Sequence, residues 1–375
     1  MESTLELLKQ SGFAHLFWGN WVMFLVAGVL IYLAISKHYE PFLLIPIGFG
    51  IIFANLPLAG MSSYSDGIIS IIYKSGIKTE LLPPLIFLGV GVLTDFRPLL
   101  GRPMTFLLGA AAQLGIFVAA FGAAYFLGFT PREAASIGII GGADGPTSIF
   151  LSAQMAPHLL GPIAVAAYSY MSLVPIIQPP IIRLLTTRKE RHIDMPQARH
   201  VSRTATILFP IVTGVIASLA IPSSAPLIGM LMFGNLLKVC GVTDRLRKTA
   251  GGAMVDIVTI FLGLAVGATM DAAHFLNWAT VKILILGAVA FAFSTAGGVA
   301  FAKVLNLFMP HDHKINPCIG AAGVSAVPMA ARVVQKFVSD ETDGRVNPLM
   351  PAMGPNVAGV IGSAVAAGVF LTLLM

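Results

Sequence analysis

An aspartate at position 144 stands inside GGADGPTSIF (141–150), among glycines and two residues ahead of a proline. A carboxylate there has two chemical uses. It can take up protons, or it can bind a hard cation, which prefers carboxylate, hydroxyl, amide and carbonyl oxygens. The structural alternative is a cap for the helix that follows. Pro146 has no N–H and clashes with the preceding turn, and the glycines let the backbone open at low steric cost. Two further stretches read as interrupted in the same way, 319–332 around Pro328 and MGPNVAGVIGS (353–363) around Pro355. Near them lie Asn316, Ser325, Asn356 and Ser363, all neutral oxygen donors. One carboxylate among neutral oxygens suits a monovalent cation better than a divalent one, with sodium or a proton as candidates. Asp144, Asn316 and Asn356 are therefore expected within a few side-chain lengths of one another.

The other polar residues leave more than one reading open. AYSYMSLVPIIQPP (167–180) contains Tyr168, Tyr170, Ser172 and Gln178. A phenol in an apolar helix is commonly an interfacial anchor; Tyr170, ahead of Pro175, is equally suited to be a ligand or proton donor. Arg332 is either an end-of-helix residue reaching the interface or an anion-binding group. Asp95 and Asp271 fit helix caps. HDHK (311–314) fits a solvated loop better than a metal site. GGADGPTS lacks the G-K-[ST] ending of a phosphate-binding loop, so direct use of ATP is not expected.

These residues sit in a chain that water alone would not fold. Of 375 residues, 56% are hydrophobic and 11% charged, against about 25% charged in a typical soluble domain, and the mean hydropathy is +0.86. Continuous apolar runs such as 104–128 and 279–306 reach the length of about 20 residues that a bilayer requires. They lack the alternation of a barrel strand. A polytopic all-α membrane protein follows, because in lipid only helices or closed barrels satisfy the backbone. Residues 1–40 read as an interfacial amphipathic helix and a first transmembrane helix, with Trp18 and Trp21 at the boundary. In 183–203, Arg183, Arg188, Lys189, Arg191, Arg199 and Arg203 outnumber Glu190 and Asp194, which makes that loop cytoplasmic. The net charge of +6 is thus a topological signal, and no nucleic-acid partner is expected. Cys240 and Cys318 are too few for a disulfide framework or a metal cage.

The basic loop (186–204) divides the chain into halves with a shared vocabulary, 41–185 and 205–375. IGIIGGADGP (137–146) and IGAAGVSAVP (319–328) share Ile, Gly, Gly and Pro at identical spacing. IFLG occurs at 86–89 and 260–263, and FG at 49–50 and 233–234. The same order at a near-constant separation of about 180 residues indicates a duplication. Two-repeat membrane proteins commonly transport solutes at a midplane site built from interrupted helices of both halves.

GGADGPTSIF, YSYMSLVP, NPCIGAAGVSAVPMAAR and GPNVAGVIGSAVAAGV together resemble the membrane beta subunit of the sodium-pumping biotin-dependent decarboxylases. That family includes oxaloacetate, glutaconyl-CoA, methylmalonyl-CoA and malonate decarboxylases, and the resemblance runs from about residue 20 to the C-terminus. It implies two inverted repeats with broken or re-entrant helices, moving as an elevator-type transporter, in the bacterial inner membrane. It also implies a mechanism: carboxybiotin on a partner subunit docks here, is decarboxylated with uptake of a proton, and the free energy drives Na+ outward. Carried over by motif, Asp144, Tyr170 and Arg332 are the catalytic residues, with Arg332 and Tyr170 toward carboxybiotin. Asp144, Asn316, Gly320, Ser325 and Asn356 are the Na+ ligands. The implied partners are a carboxyltransferase alpha subunit, a biotin carrier protein and a small membrane subunit of the gamma or delta type, within a homo-oligomer. No biotin-attachment AMKM occurs in the chain, so biotin must arrive on a partner. The competing reading is a secondary sodium/proton or sodium/organic-anion transporter. A scaffold without chemistry is hard to reconcile with Asp144.

Overall fold

The computed structural model describes residues 9–62, 66–196, 198–310 and 313–375. Residues 1–8, the start of the expected interfacial helix, and His311 and Asp312 of HDHK lie outside the described residues. Among those described, the chain is helical and has no strand. The α-helices of seven or more residues are α1 (Trp18–Lys37), α2 (Pro41–Ala54), α3 (Leu82–Leu93), α4 (Thr105–Ala111), α5 (Leu114–Phe126), α6 (Pro131–Gly138), α7 (Gly145–Met155) and α8 (Leu160–Ser172). They continue with α9 (Val174–Leu185), α10 (Arg203–Ala220), α11 (Ala225–Val239), α12 (Val255–Gly267), α13 (Trp278–Leu307), α14 (Met329–Glu341) and α15 (Leu349–Leu374). Six helical segments are long and apolar enough to cross a membrane, or up to eight if two bent pairs are each one span. One of those pairs is α8 and α9, bent by 65° beside Pro175.

Close crossings replace the hydrophobic effect inside lipid, where small residues let backbones approach. Two crossings repeat one design. In the first, α2 meets α12: a methyl on Gly50 would lie 2.4 Å from the Leu264 carbonyl oxygen, and one on Gly267 would lie 2.1 Å from that of Ile47. In the second, α11 meets α3: a methyl on Gly234 or Gly91 would lie 2.0 Å from the carbonyl oxygen of Leu88 or Leu231. Each crossing is pinned by a buried asparagine. Asn55 donates to Met270 O (2.8 Å) and accepts from Ala272 N (2.9 Å), while Asn235 donates to Thr94 O (3.1 Å). The glycines of IFLG and FG are thus residues of these two crossings or their neighbours. Asp271 caps a short helix through His274 N (2.9 Å), as its cap reading requires. Asp95 is not a cap: it stands one residue before Phe96, the N-cap of the short helix Arg97–Gly101, and accepts from Arg97 N and the Arg97 guanidinium.

Two hairpins carry the interrupted sequences. In the first, α6 runs into a 3-10 turn (Ile139–Gly142), the chain reverses at Ala143, and α7 leads away. Thr130 and Glu133 cap the start of α6 reciprocally, and Glu133 also binds His158 (2.8 Å) just beyond α7, so the ends meet. In the second, a 3-10 segment (Pro317–Gly323) leads to the break at 324–328 and then α14. Its ends also meet: Asn316 donates to the Arg191 carbonyl (3.0 Å), and Arg191 pairs with Glu341 (2.6 Å). The tips of the hairpins join where Ser325 N donates to Gly142 O (2.9 Å).

The third expected break does not occur. α15 runs continuously from Leu349 to Leu374 through Pro355. Proline is tolerated in a buried apolar helix where neighbours satisfy the freed backbone groups. Asn356, Gly359 and Ser363 remain in helical register along one face.

Candidate functional site

Asp144 is the N-cap of α7, and its position follows from the local sequence. Ala143 adopts a left-handed conformation (φ 52°), which turns the chain sharply, and Asp144 follows in extended geometry. Its Oδ1 accepts from Thr147 N (3.1 Å), as a capping aspartate does. Oδ2 faces away from α7 and accepts from the Ser363 hydroxyl of α15 (2.6 Å). Only 6% of Asp144 is exposed.

The network continues across the second hairpin. Ser325 Oγ lies 3.0 Å from Ser363 Oγ and 2.8 Å from the Gly359 carbonyl. Asn356, two turns before Ser363, donates to Val324 O (2.8 Å). Residues from three separate parts of the chain therefore converge, and three of the expected ones are among them: Asp144, Ser325 and Asn356. The cluster is rich in oxygens that have no hydrogen-bond partner. Asn356 Oδ1, Thr147 Oγ1, Gln113 Oε1 and Tyr168 OH are all buried and unpartnered among the described residues. A buried unpaired polar atom is costly, and these are oxygens with lone pairs to offer a cation. Among the described residues no group of three His, Cys, Asp or Glu could hold a metal. The donor set has the chemistry of a singly charged, oxygen-liking ion.

The other expected site residues lie elsewhere. Asn316 is spent on the basic loop, donating to Arg191 O and Ile193 O (3.1 Å) and accepting from Cys318 N (3.1 Å). Seven residues of 3-10 helix, at about 2 Å each, separate it from Val324 by roughly 14 Å. Gly320 serves a close crossing with α13, where a methyl on it would lie 2.1 Å from Gly298 O. Tyr170 packs on Gly287, and its hydroxyl donates to the Leu284 carbonyl of α13. Arg332 is exposed in the first turn of α14, with no ion pair among the described residues.

Two residues near Asp144 were not singled out for it. Tyr168 is fully buried and lies on the opposite side of α8 from Tyr170. Its ring lies against Gly145, where a methyl would be 2.0 Å from Cε1; that is why glycine follows Asp144. Gln113 sits in the turn between α4 and α5, donating to Gly109 O (3.0 Å) and Gly323 O (3.2 Å). Its Oε1 faces Gly142, where a methyl would lie 3.3 Å from it and 3.2 Å from Ser363 Cβ. A polar residue in the middle of the apolar run 104–128 was its only signal.

Residues 19–374 match the family model described as Na+-transporting oxaloacetate decarboxylase beta subunit. The chain is 55% identical over 373 residues to the methylmalonyl-CoA decarboxylase subunit beta of Veillonella parvula, covering 98% of this chain and 97% of that one. It is 55% identical over 369 residues to the glutaconyl-CoA decarboxylase subunit beta of Acidaminococcus fermentans, with 98% and 97% covered. It is 49% identical over 434 residues to the oxaloacetate decarboxylase beta chain of Klebsiella pneumoniae, with both chains covered in full. With its candidate spans, it is a multi-pass protein of the bacterial inner membrane. The chain belongs to the family of decarboxylase beta subunits that are membrane-embedded Na+ pumps.

Proposed function

We propose that this chain is the membrane subunit in which carboxybiotin, presented by a biotin carrier protein, loses CO2 and takes up a proton, and in which that step drives Na+ outward. A carboxyltransferase alpha subunit loads the biotin; a small gamma- or delta-type subunit and further copies of the chain complete the assembly. Asp144 is the charged ligand of the ion, with neutral oxygens from Ser325, Ser363 and Asn356 around it. The observation that carries this reading is the contact of Ser363 with both Asp144 (2.6 Å) and Ser325 (3.0 Å), which ties one carboxylate to both hairpin tips. The unpartnered oxygens of Asn356 and Gln113 support it.

Arg332 is assigned to meet the carboxyl group that arrives on biotin, supported by its exposure and its lack of an ion pair among the described residues. Tyr170 is assigned to the same step, and its hydroxyl must leave Leu284 to take part. Asn316 and Gly320 belong to the ion site through the second hairpin, which the one anchors and the other packs. The repeats 41–185 and 205–375 are read as inverted, with the two joined hairpins moving as an elevator-type unit. The reciprocal crossings of α2 with α12 and of α11 with α3 support that reading.

The test is Na+ uptake by inverted vesicles holding the assembled decarboxylase, driven by its acyl substrate. Uptake should stop when avidin blocks the biotin carrier. Na+ movement by this chain alone, with no biotin-bearing partner, would replace the proposal with secondary transport.

A further inference from the structure

A cavity of about 610 Å³ opens at the end of α13, on the side of the basic loop. Lys189, Lys303 and Lys314 line it, against a single carboxylate among the described residues, Glu190. That carboxylate is already engaged, accepting from Thr187 N (2.7 Å) and Thr187 Oγ1 (2.9 Å). Lys303 lies 3.3 Å from Glu190 and donates to Leu185 O (2.9 Å), which fixes its ammonium at the cavity wall. Lys189 and Lys314 have no ion pair among the described residues. Lys314 is held over the cavity because Asn306 clamps the next residue, accepting from Ile315 N (2.9 Å) and donating to Ile315 O (2.7 Å). The cavity therefore carries excess positive charge in a fixed frame.

Apart from Asn306, the remaining wall is apolar. Ile193 joins Val304 and Leu307 of α13 there, and Leu307 is 80% exposed at the end of a membrane-length helix. Val304 also belongs to a second groove of about 610 Å³, which continues along α13 between it and α4–α5. Ala110, Ala111, Gly297 and Ala300 make that groove a trough, and its polar surface is negligible. A basic cup and an apolar trough thus share one residue at the cytoplasmic end of a spanning helix.

We propose that this composite site binds an anionic phospholipid of the cytoplasmic leaflet, its phosphate among Lys189, Lys303 and Lys314 and an acyl chain in the trough. Charge complementarity selects the headgroup, since basic pockets at the cytoplasmic boundary attract anionic lipid. Continuity of cup and trough selects a lipid over a free anion. A second copy of the chain would bring no complementary charge to the cup from its own like cluster. The site is separate from the Asp144 cluster, so the proposal stands whether or not Asp144 binds Na+.

The experiment uses the detergent-purified complex, reconstituted in nanodiscs of phosphatidylcholine with one phosphatidylglycerol in ten. Retained lipid is counted by native mass spectrometry. The wild type should retain phosphatidylglycerol selectively. Lys189→Gln with Lys314→Gln should lower that retention about thirtyfold, at roughly a factor of five per surface lysine. Ala300→Phe, which fills the trough and leaves every lysine in place, should lower it as well. Lys189 and Ala300 are exposed and Lys314 is half-buried with no ion pair among the described residues, so melting in pure phosphatidylcholine should be unchanged. Lack of selectivity in the wild type, or full retention by either variant, would overturn the proposal. So would displacement of the signal by millimolar inorganic phosphate, which marks a free-anion site, or efficient cross-linking of Ala300→Cys between copies, which marks a subunit interface.

Discussion

Replacing Asp144 by asparagine separates charge from architecture. Asparagine caps helices about as well as aspartate: its carboxamide oxygen can still accept from Thr147 N, while its Nδ2 faces Ser363 Oγ and donates to it, reversing that hydrogen bond. The variant should fold, since a neutral amide is cheaper to bury than a carboxylate. What disappears is the only charge in a cluster whose other members, Ser325, Ser363, Asn356 and Gln113, are neutral. With 6% of Asp144 exposed, water screens that charge poorly. Breaking a buried charge pair costs about 3–5 kcal/mol, so Na+ affinity should fall by roughly two to four orders of magnitude. The assay is thermal unfolding of the purified protein in Na+ against choline. For a Kd of about 1 mM, 100 mM Na+ stabilises the folded state by about 2.7 kcal/mol, and for a thousandfold weaker site by less than about 0.1 kcal/mol. Sodium-stimulated decarboxylation by the assembled complex should fall in parallel. Equal stabilisation of both proteins by Na+ would refute the reasoning and leave Asp144 as a helix cap.

Ser363→Ala should weaken Na+ affinity about tenfold, cutting the stabilisation by 100 mM Na+ from about 2.7 to about 1.4 kcal/mol, while leaving melting in choline within about 1 kcal/mol, measured in the same assay; unchanged Na+ dependence would remove Ser363 from the site. Gly145→Ala should destabilise by about 1–3 kcal/mol, because its methyl meets the Tyr168 ring at 2.0 Å, and Gly145→Ala with Tyr168→Leu should recover part of that loss. Glu341 gives a pH prediction: hydrogen bonds from Arg183 and then Arg191 hold its carboxyl below the usual carboxylate range. Its contribution is therefore full above about pH 4.3 and is lost as pH falls through the lowered value. Wild type should lose stability below about pH 4 more steeply than Glu341→Gln, which should melt lower at pH 7 by about 2 kcal/mol and release the basic loop to proteolysis.

The parts of this site that were legible in sequence are those where a polar residue stands in an apolar setting beside a backbone break. Asp144, Ser325, Asn356 and Ser363 satisfy that condition, and they converge. Asn316 satisfies it too, yet belongs to the far end of a 3-10 segment whose length no residue pattern announces. Pro355 looked like Pro146 and Pro328, but the helix around it is held on both sides by packing. Tyr168 and Tyr170 are two residues apart, and only the rotation of α8 determines which phenol meets Gly145. Gln113 was hidden because one amide in a long apolar run does not reveal which turn it occupies. The two glycine crossings were visible only as short matching glycine motifs, whose packing partners lie in the other half of the chain.

The serine pair has a consequence for timing. Ser363 has one proton, with Asp144 Oδ2 at 2.6 Å and the Val360 carbonyl at 3.1 Å as alternative acceptors. A cation arriving at the carboxylate would repel that proton, and rotation about one C–O bond would hand it to Val360 and turn a lone pair toward the ion. Ser325 has the same freedom, with the Gly359 carbonyl at 2.8 Å as its second acceptor. Two hydroxyl rotations take picoseconds to nanoseconds, whereas collective movement of packed helices takes microseconds to milliseconds. Hydroxyl switching would thus equilibrate many times over before any collective movement of the packed helices. The Na+ concentration dependence of turnover should then report a binding equilibrium, with the speed set by the slower step.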